Sequence, residues 1–190
     1  AARASRRGVA AVIDRLDVDI REKRFARSDG SELIVMREIA FHLASGDFAV
    51  LFGPSGCGKT TLLNIVAGLD PDFSGSVRLG GKPPAALRIG YVFQEPRLLP
   101  WRSVQENVEL VLAPGADRST IPSLLDRVGL ADFKHAYPAQ LSVGMARRAA
   151  IARAFAVEPE LLLMDEPFVS LDEVTAARMR SQLVDLWQSR

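Results

Sequence analysis

Cysteine occurs once, at Cys57, in a chain of 190 residues. That excludes an intrachain disulfide and fits a reducing compartment. No apolar run approaches the roughly 18 residues that read as a membrane-spanning helix, so a membrane role needs a partner. Neither charge sign is in excess. The 24 Lys plus Arg against 23 Asp plus Glu give no argument for bulk nucleic-acid binding. Histidine is confined to His42 and His135. Internal repeats and low-complexity tracts are missing. So are an initial Met and a signal-peptide pattern, and the start reads as processed or cut from a longer chain. What remains, 48% apolar and 25% charged residues, is the composition of one ordinary globular domain with a sizeable core.

The most informative stretch is Gly53-Pro54-Ser55-Gly56-Cys57-Gly58-Lys59-Thr60-Thr61, which fits G-x-x-x-x-G-K-[ST]. Its glycines permit a tight turn whose N–H groups point inward as an anion nest. Lys59 adds a point charge for the outer phosphates of a nucleotide, and the Thr60 hydroxyl is placed to bind Mg²⁺. A helix from Lys59 to Ala67, stopped at Gly68, turns its positive dipole end toward the same phosphates. The apolar run Phe48-Ala49-Val50-Leu51-Phe52 in front reads as a buried strand, giving the order strand, loop, helix. Cys57 reads as a small loop residue rather than a reactive thiol.

The N-terminal third reads as short antiparallel β-structure. Ala1 to Gly8 frays. Ala10 to Ile13 and Leu16 to Ile20 are strand-like, Ser28 to Ser31 is a turn, and Leu33 to Met36 and Ile39 to Leu43 resume the strand pattern. After the first helix, Asp70 to Ser74 is a loop, Gly75 to Leu79 a strand, and Gly80-Gly81 a hairpin-type turn. Arg88 to Phe93 is a strand ending at Gln94. From Pro96 to Pro138 amphipathic pieces, notably Val104 to Leu112 and Ser119 to Val128, are split by Pro and Gly, as in an inserted helical subdomain. Ser142 to Val157 is a helix whose Arg147, Arg148 and Arg153 read as a solvated face. Leu161 to Met164 reads as a fully buried strand running into Asp165-Glu166-Pro167, and Glu173 to Arg190 as a final helix.

An apolar strand that ends in Asp-Glu, downstream of a phosphate loop, supplies the second half of a phosphoryl-transfer site. Asp165 is aimed at the Mg²⁺ held by Thr60. Glu166 can accept a proton from an attacking water.

With these residues in place the chain resembles the ATP-binding subunit of ABC transporters over nearly its whole length. Tyr91-Val92-Phe93-Gln94 resembles the Q-loop. Leu141-Ser142-Val143-Gly144-Met145 resembles the signature sequence, followed by the helix Ala146 to Ala154. Ser170-Leu171-Asp172 resembles the D-loop, and Phe25 falls where an aromatic residue stacks on adenine. The stretch Phe93 to Trp101 and the Met in the signature are similar to importers of the nitrate, sulfonate and taurine type. The resemblance implies an α/β fold: a P-loop NTPase (RecA-like) core with a small N-terminal antiparallel β-subdomain and an inserted helical subdomain. It implies a single ABC-type domain over 1–190, with the β-subdomain and phosphate-loop core at 9–94, the helical subdomain at 95–140, and the signature helix, Walker B strand, D-loop and final helix at 141–190.

The resemblance also implies roles. The cofactors are ATP and Mg²⁺. Lys59, Gln94 and Glu166 are catalytic, and Thr60, Gln94 and Asp165 hold the metal. Phe25, Gly53 to Thr61, Ser142, Gly144 and Asp172 bind nucleotide, with Ser142 and Gly144 acting in trans on ATP bound to a second copy. Partners are transmembrane permease subunits, a second ATP-binding subunit in an ATP-driven homodimer, and indirectly a periplasmic or lipid-anchored solute-binding protein, with no nucleic acid. The implied place is the cytoplasm, peripheral on the inner face of the cell membrane, and the implied function is ATP hydrolysis driving import of small anions or sulfonates.

Two departures temper this expectation. Val143 stands where the family usually has Gly, which is costly if the backbone needs positive φ or close approach to phosphate. The family's switch histidine is expected on a later strand beyond Arg190, so the chain reads as C-terminally truncated with weak hydrolysis. The alternative is a nucleotide-binding module with little turnover that regulates or scaffolds a partner.

Overall fold

The structure, a computed structural model, describes residues 15–169 and 173–188. The expected strand Ala10 to Ile13 therefore lies outside the described residues, as does the D-loop stretch Ser170-Leu171-Asp172. The chain forms two compact units, Ala1–Ala86 and Leu87–Arg190.

In the first unit, β1 (Leu16–Ala26), β2 (Glu32–Leu43) and β3 (Ser74–Leu79) form an antiparallel sheet of order β2-β1-β3. Leu16, Val18 and Ile20 alternate inward along β1, as a one-sided sheet requires. The register then slips, against β3 between Ile20 and Glu22 and against β2 between Lys23 and Arg24. This bulge shifts the inward parity by one and aims Lys23 into the core, where it is 2% exposed. The two strands expected at Leu33 to Met36 and Ile39 to Leu43 are one strand, because pairing continues past Glu38, whose φ is 54°. Helix α1 (Lys59–Val66) buries Leu62, Ile65 and Val66 and ends before Gly68 at φ 73°.

The buried strand expected at Phe48 to Phe52 is not formed. Residues 48–52 are not in a strand, and Phe52 is 100% exposed. An apolar run states that a segment is suited to a sheet interior, but its strand state depends on neighbours to pair with. Among the described residues none pairs with it.

In the second unit β4 (Ile89–Val92) pairs in parallel with β5 (Leu161–Met164), register Ile89↔Leu161 to Val92↔Met164. β5 is only partly buried, with Leu163 alone fully inside. Helices α2 (Val104–Glu109), α3 (Ile121–Arg127), α4 (Val143–Ala156) and α5 (Glu173–Gln188) enclose the core. Val104, Val108, Ile121, Leu125 and Leu130 cluster with Ile151, Phe155 and Met179. Helix α4 is buried on most of its circumference, which explains its Ala content: small side chains let neighbours approach. Gly90 shows how close. A β-carbon there would collide with the Ala154 carbonyl oxygen.

Fully buried Asn107 on α2 fastens the stretch after β4. Its Oδ1 accepts from Leu99 N–H at 2.7 Å, and its Nδ2 donates to Leu99, Arg102 and Ser103 carbonyls at 3.1, 3.0 and 3.0 Å.

Candidate functional site

The first constellation belongs to the first unit. Gly58 precedes α1 at φ 97°, and no side chain caps the helix. Its first-turn N–H groups thus have no acceptor inside the helix. A side chain at 58 would be strained at that φ and would press Val35 Cγ1, 3.0 Å from the β-carbon position. Lys59 Nζ donates to the carbonyls of Gly53 at 2.9 Å and Pro54 at 3.0 Å, and lies 4.0 Å from Cys57 Sγ. Pro54, Ser55, Gly56, Cys57 and Thr60 are exposed, and Thr61 is half-buried. An uncapped helix start, a glycine backbone and an ammonium gathered at one exposed loop have the chemistry of a phosphate site. Among the described residues no cluster of three or more His, Cys, Asp or Glu exists. A divalent ion would therefore be held by no more than two such side chains, together with hydroxyl, amide or phosphate oxygens, in keeping with the oxygen-rich habit of Mg²⁺.

Phe25 lies near the end of β1, 42% exposed. Lys23 Nζ stands 4.6 Å from its ring centroid and donates to Asp70 Oδ1 at 2.8 Å and to the Asp72 carbonyl. The ring is thereby tied to the loop that follows α1.

The second constellation belongs to the second unit. Parallel pairing of β4 and β5 puts both C-terminal ends at the same edge, where open α/β sheets place their ligands. Asp165 N–H donates to the Val92 carbonyl at 2.9 Å, which continues the ladder past β5. Gln94 Nε2 donates to Glu166 Oε2 at 3.3 Å. Asp165 is 5% exposed, Glu166 half-buried and Gln94 exposed. Burial, then the negative charge of Asp165, pushes the Tyr91 hydroxyl up to about 12. Tyr91 stacks on Phe93 with centroids 4.1 Å apart, and Arg97 covers Phe93 at 4.3 Å. A cavity of about 320 Å³ opens here, lined by Tyr91, Phe93, Arg97, Val111 and Arg153 among others.

Ser142 caps α4, its Oγ accepting from Met145 N–H at 3.2 Å. That leaves the hydroxyl proton available for a second partner. Val143 is the first helical residue, 60% exposed, and neither it nor Gly144 has positive φ. The backbone strain that a positive φ would impose on Val143 is absent, because a helical first turn accepts any L residue.

The solvated arginine face is overturned. Arg147 donates to the carbonyls of Glu166 and Pro167 at 3.2 and 2.9 Å. Arg148 donates to those of Val128 and Gly129 at 3.0 and 3.1 Å. Arg153 donates to those of Arg97 and Pro96 at 2.9 and 2.7 Å. Three guanidiniums thus each seat two consecutive carbonyls, and burial lowers the proton affinity of Arg153. Sequence reasoning assigned them outward because charged residues on a helix are usually solvated. The signal missed was that so alanine-rich a helix is suited to burial on most of its circumference, which leaves its arginines to meet backbone carbonyls. Lys23 and Asn107 were missed as well. Strand parity conceals the first behind a bulge, and nothing local marks the second.

Comparison with known proteins supplies four findings. Residues 36–169 match the family model described as ABC transporter. The aliphatic sulfonates import ATP-binding protein of Burkholderia cenocepacia is 49% identical over 166 residues, 86% of this chain and 62% of that protein. Its namesake in Bacillus subtilis is 42% identical over 177 residues, 91% of this chain and 69% of that protein. The chain thus spans about three fifths of the first of these relatives. A dimeric ATP-binding cassette, solved in a post-hydrolysis state with ADP and phosphate bound, superposes with a TM-score of 0.79 at 30% identity, over 90% of this chain and 82% of that one.

Proposed function

Because the chain belongs to the ABC transporter family and has the fold of its ATP-binding cassettes, we propose that it is the ATP-binding, ATP-hydrolysing subunit that drives a membrane importer of small anions or sulfonates. The observation that carries the reading is the phosphate loop itself: an uncapped helix start at Gly58 with the Lys59 ammonium folded onto the Gly53 and Pro54 carbonyls. Those carbonyls are weak partners for a full charge, and phosphate oxygens are stronger ones. The relatives' names supply the transport and the sulfonate class.

In this reading Lys59 transfers its hydrogen bonds from the loop to the β- and γ-phosphates, and the backbone of residues 53–61 wraps them. Thr60, Gln94 and Asp165 would hold Mg²⁺, which when bound would supply charge neutralisation at the phosphates. Glu166 takes the proton of the attacking water while Gln94 orients that water. Phe25 stacks on adenine. Ser142 and Gly144 present the start of α4 to ATP on a second copy, so the nucleotide favours a closed pair of subunits, and Asp172 contributes at the same junction. Differential stability of the closed pair does the work on the permease. Trp101, 70% exposed on the loop that Asn107 fastens, and the cavity beside Phe93 support a permease contact in this region. A solute-binding protein outside the membrane would deliver the cargo, and the subunit would lie on the cytoplasmic face.

The test is a Mg·ATP titration by calorimetry with phosphate release followed across protein concentrations. Saturable binding that Lys59→Ala abolishes, with release rising more steeply than protein concentration and lost in Glu166→Gln, is the expected result. Binding without release would favour a silent regulatory module. No binding would end both readings.

A further inference from the structure

We propose that Arg147 is a positioning residue for Glu166, holding it in a strained conformation from which its carboxylate meets Gln94; the proposal rests on the reading of Glu166 as the proton acceptor. Glu166 has φ 46°, in the left-handed region where the β-carbon crowds the following carbonyl. Such a residue persists only where its surroundings over-determine it. Here the Glu166 carbonyl receives two donors, Val169 N–H at 3.2 Å and Arg147 Nη1 at 3.2 Å. The same Nη1 seats the Pro167 carbonyl at 2.9 Å. Together they fix the 166–167 peptide plane, and with it the direction in which the Glu166 side chain leaves the backbone. That side chain points to Gln94, 3.3 Å away.

Arg147 is a poor choice on packing grounds. It is 8% exposed, and its Nε is buried without an acceptor among the described residues. A buried guanidinium with an unmade hydrogen bond disfavours the fold, and an apolar side chain of similar volume would not. What it gains is the turn. The same device recurs on α4: Arg148 seats Gly129 at φ 69°, and Arg153 seats Arg97 at φ 47°. Each of these arginines locks a left-handed residue, and Arg147 locks the one that carries the reacting carboxylate.

The experiment compares Arg147→Met and Arg147→Lys in the 190-residue chain by amide hydrogen exchange and by phosphate release; Arg147→Gln replaces Met should that variant not fold. The Val169 amide reports the turn directly, because it donates to the Glu166 carbonyl. Its exchange should accelerate about tenfold in the Met or Gln variant, with amides of Ala150 to Ala154 unchanged. Lys, which keeps one donor, should fall in between. Phosphate release should show kcat down about tenfold with KM for ATP unchanged. Unchanged Val169 exchange, equal acceleration along α4, or a Lys variant as impaired as Met overturns the proposal. A wild-type chain that releases no phosphate ends the hydrolysis reading instead, and the exchange measurement still decides on Arg147.

Discussion

Gln94 and Glu166 share a hydrogen bond of 3.3 Å across 72 residues of sequence. Neither residue reaches far to make it. β4 and β5 run parallel in a register that pairs Val92 with Met164, so the two residues leave neighbouring strands at the same edge. Glu166→Gln keeps size and contact but removes the proton acceptor. The expected outcome is loss of about a hundredfold or more in kcat with nucleotide binding retained, whereas Gln94→Ala should cost about tenfold. Phosphate release and calorimetry on the same preparations check both.

Lys23 is a buried charge with two carboxylates in reach, and they are unequal. Asp70 is one-fifth exposed and 2.8 Å away, while Asp72 is 93% exposed and 3.5 Å away. Asp70→Asn should therefore destabilise the fold by about 2 kcal/mol by leaving the ammonium short of its partner. Asp72→Asn should change stability by less than about 0.5 kcal/mol, because water screens the exposed pair. Urea denaturation distinguishes them.

Helix α2 begins with a complete capping box: Ser103 Oγ accepts from Glu106 N–H, and Glu106 Oε2 accepts from Ser103 N–H at 2.7 Å. Ser103→Ala should cost about 1 kcal/mol. The hydrogen bonds from the Ser103 backbone, then its side chain, hold the Glu106 carboxyl below the usual 4.5. A depressed folded value contributes stability that is present above pH 4.5 and disappears as pH falls through the folded value. Glu106→Gln should therefore melt lower than the parent near neutrality, and the gap should close as pH falls below 4.5.

Val143 opens α4 in ordinary helical geometry. Restoring glycine there gives up helix propensity without relieving strain, so Val143→Gly should lower stability by about 0.5 kcal/mol. A gain in stability on chemical denaturation would mean that the backbone at 143 is not at rest.

Much of the site was legible because its parts are local. The phosphate loop, the Asp165-Glu166 pair and the Ser142 cap are contiguous, and each owes its form to residue types at fixed spacing. The helices fell where Ser, Pro and apolar spacing placed them, although α2 and α3 are shorter than their patterns. The parts that escaped depend on residues far apart in the chain. Lys23 points inward because of a bulge defined by two other strands. The arginines of α4 point to carbonyls 19 to 57 residues away. The run 48–52 was read by its composition, yet a strand requires a partner that composition does not name.

The order of synthesis gives the arginine-bearing helix a temporal role. Residues 96–97 and 128–129 are made before α4, and 166–167 after it. Until Arg153 emerges, through more than 50 residues of elongation, the left-handed residue Arg97 lacks the donor that seats its carbonyl. At roughly 5–20 residues per second that is an interval of seconds. The earlier loops of the second unit thus depend for these donors on a helix made after them. Pauses in translation ahead of residue 143 should prolong the time its earlier loops are open to proteases and chaperones, whereas pauses behind residue 156 leave β5, the Glu166 turn and α5 still to be made.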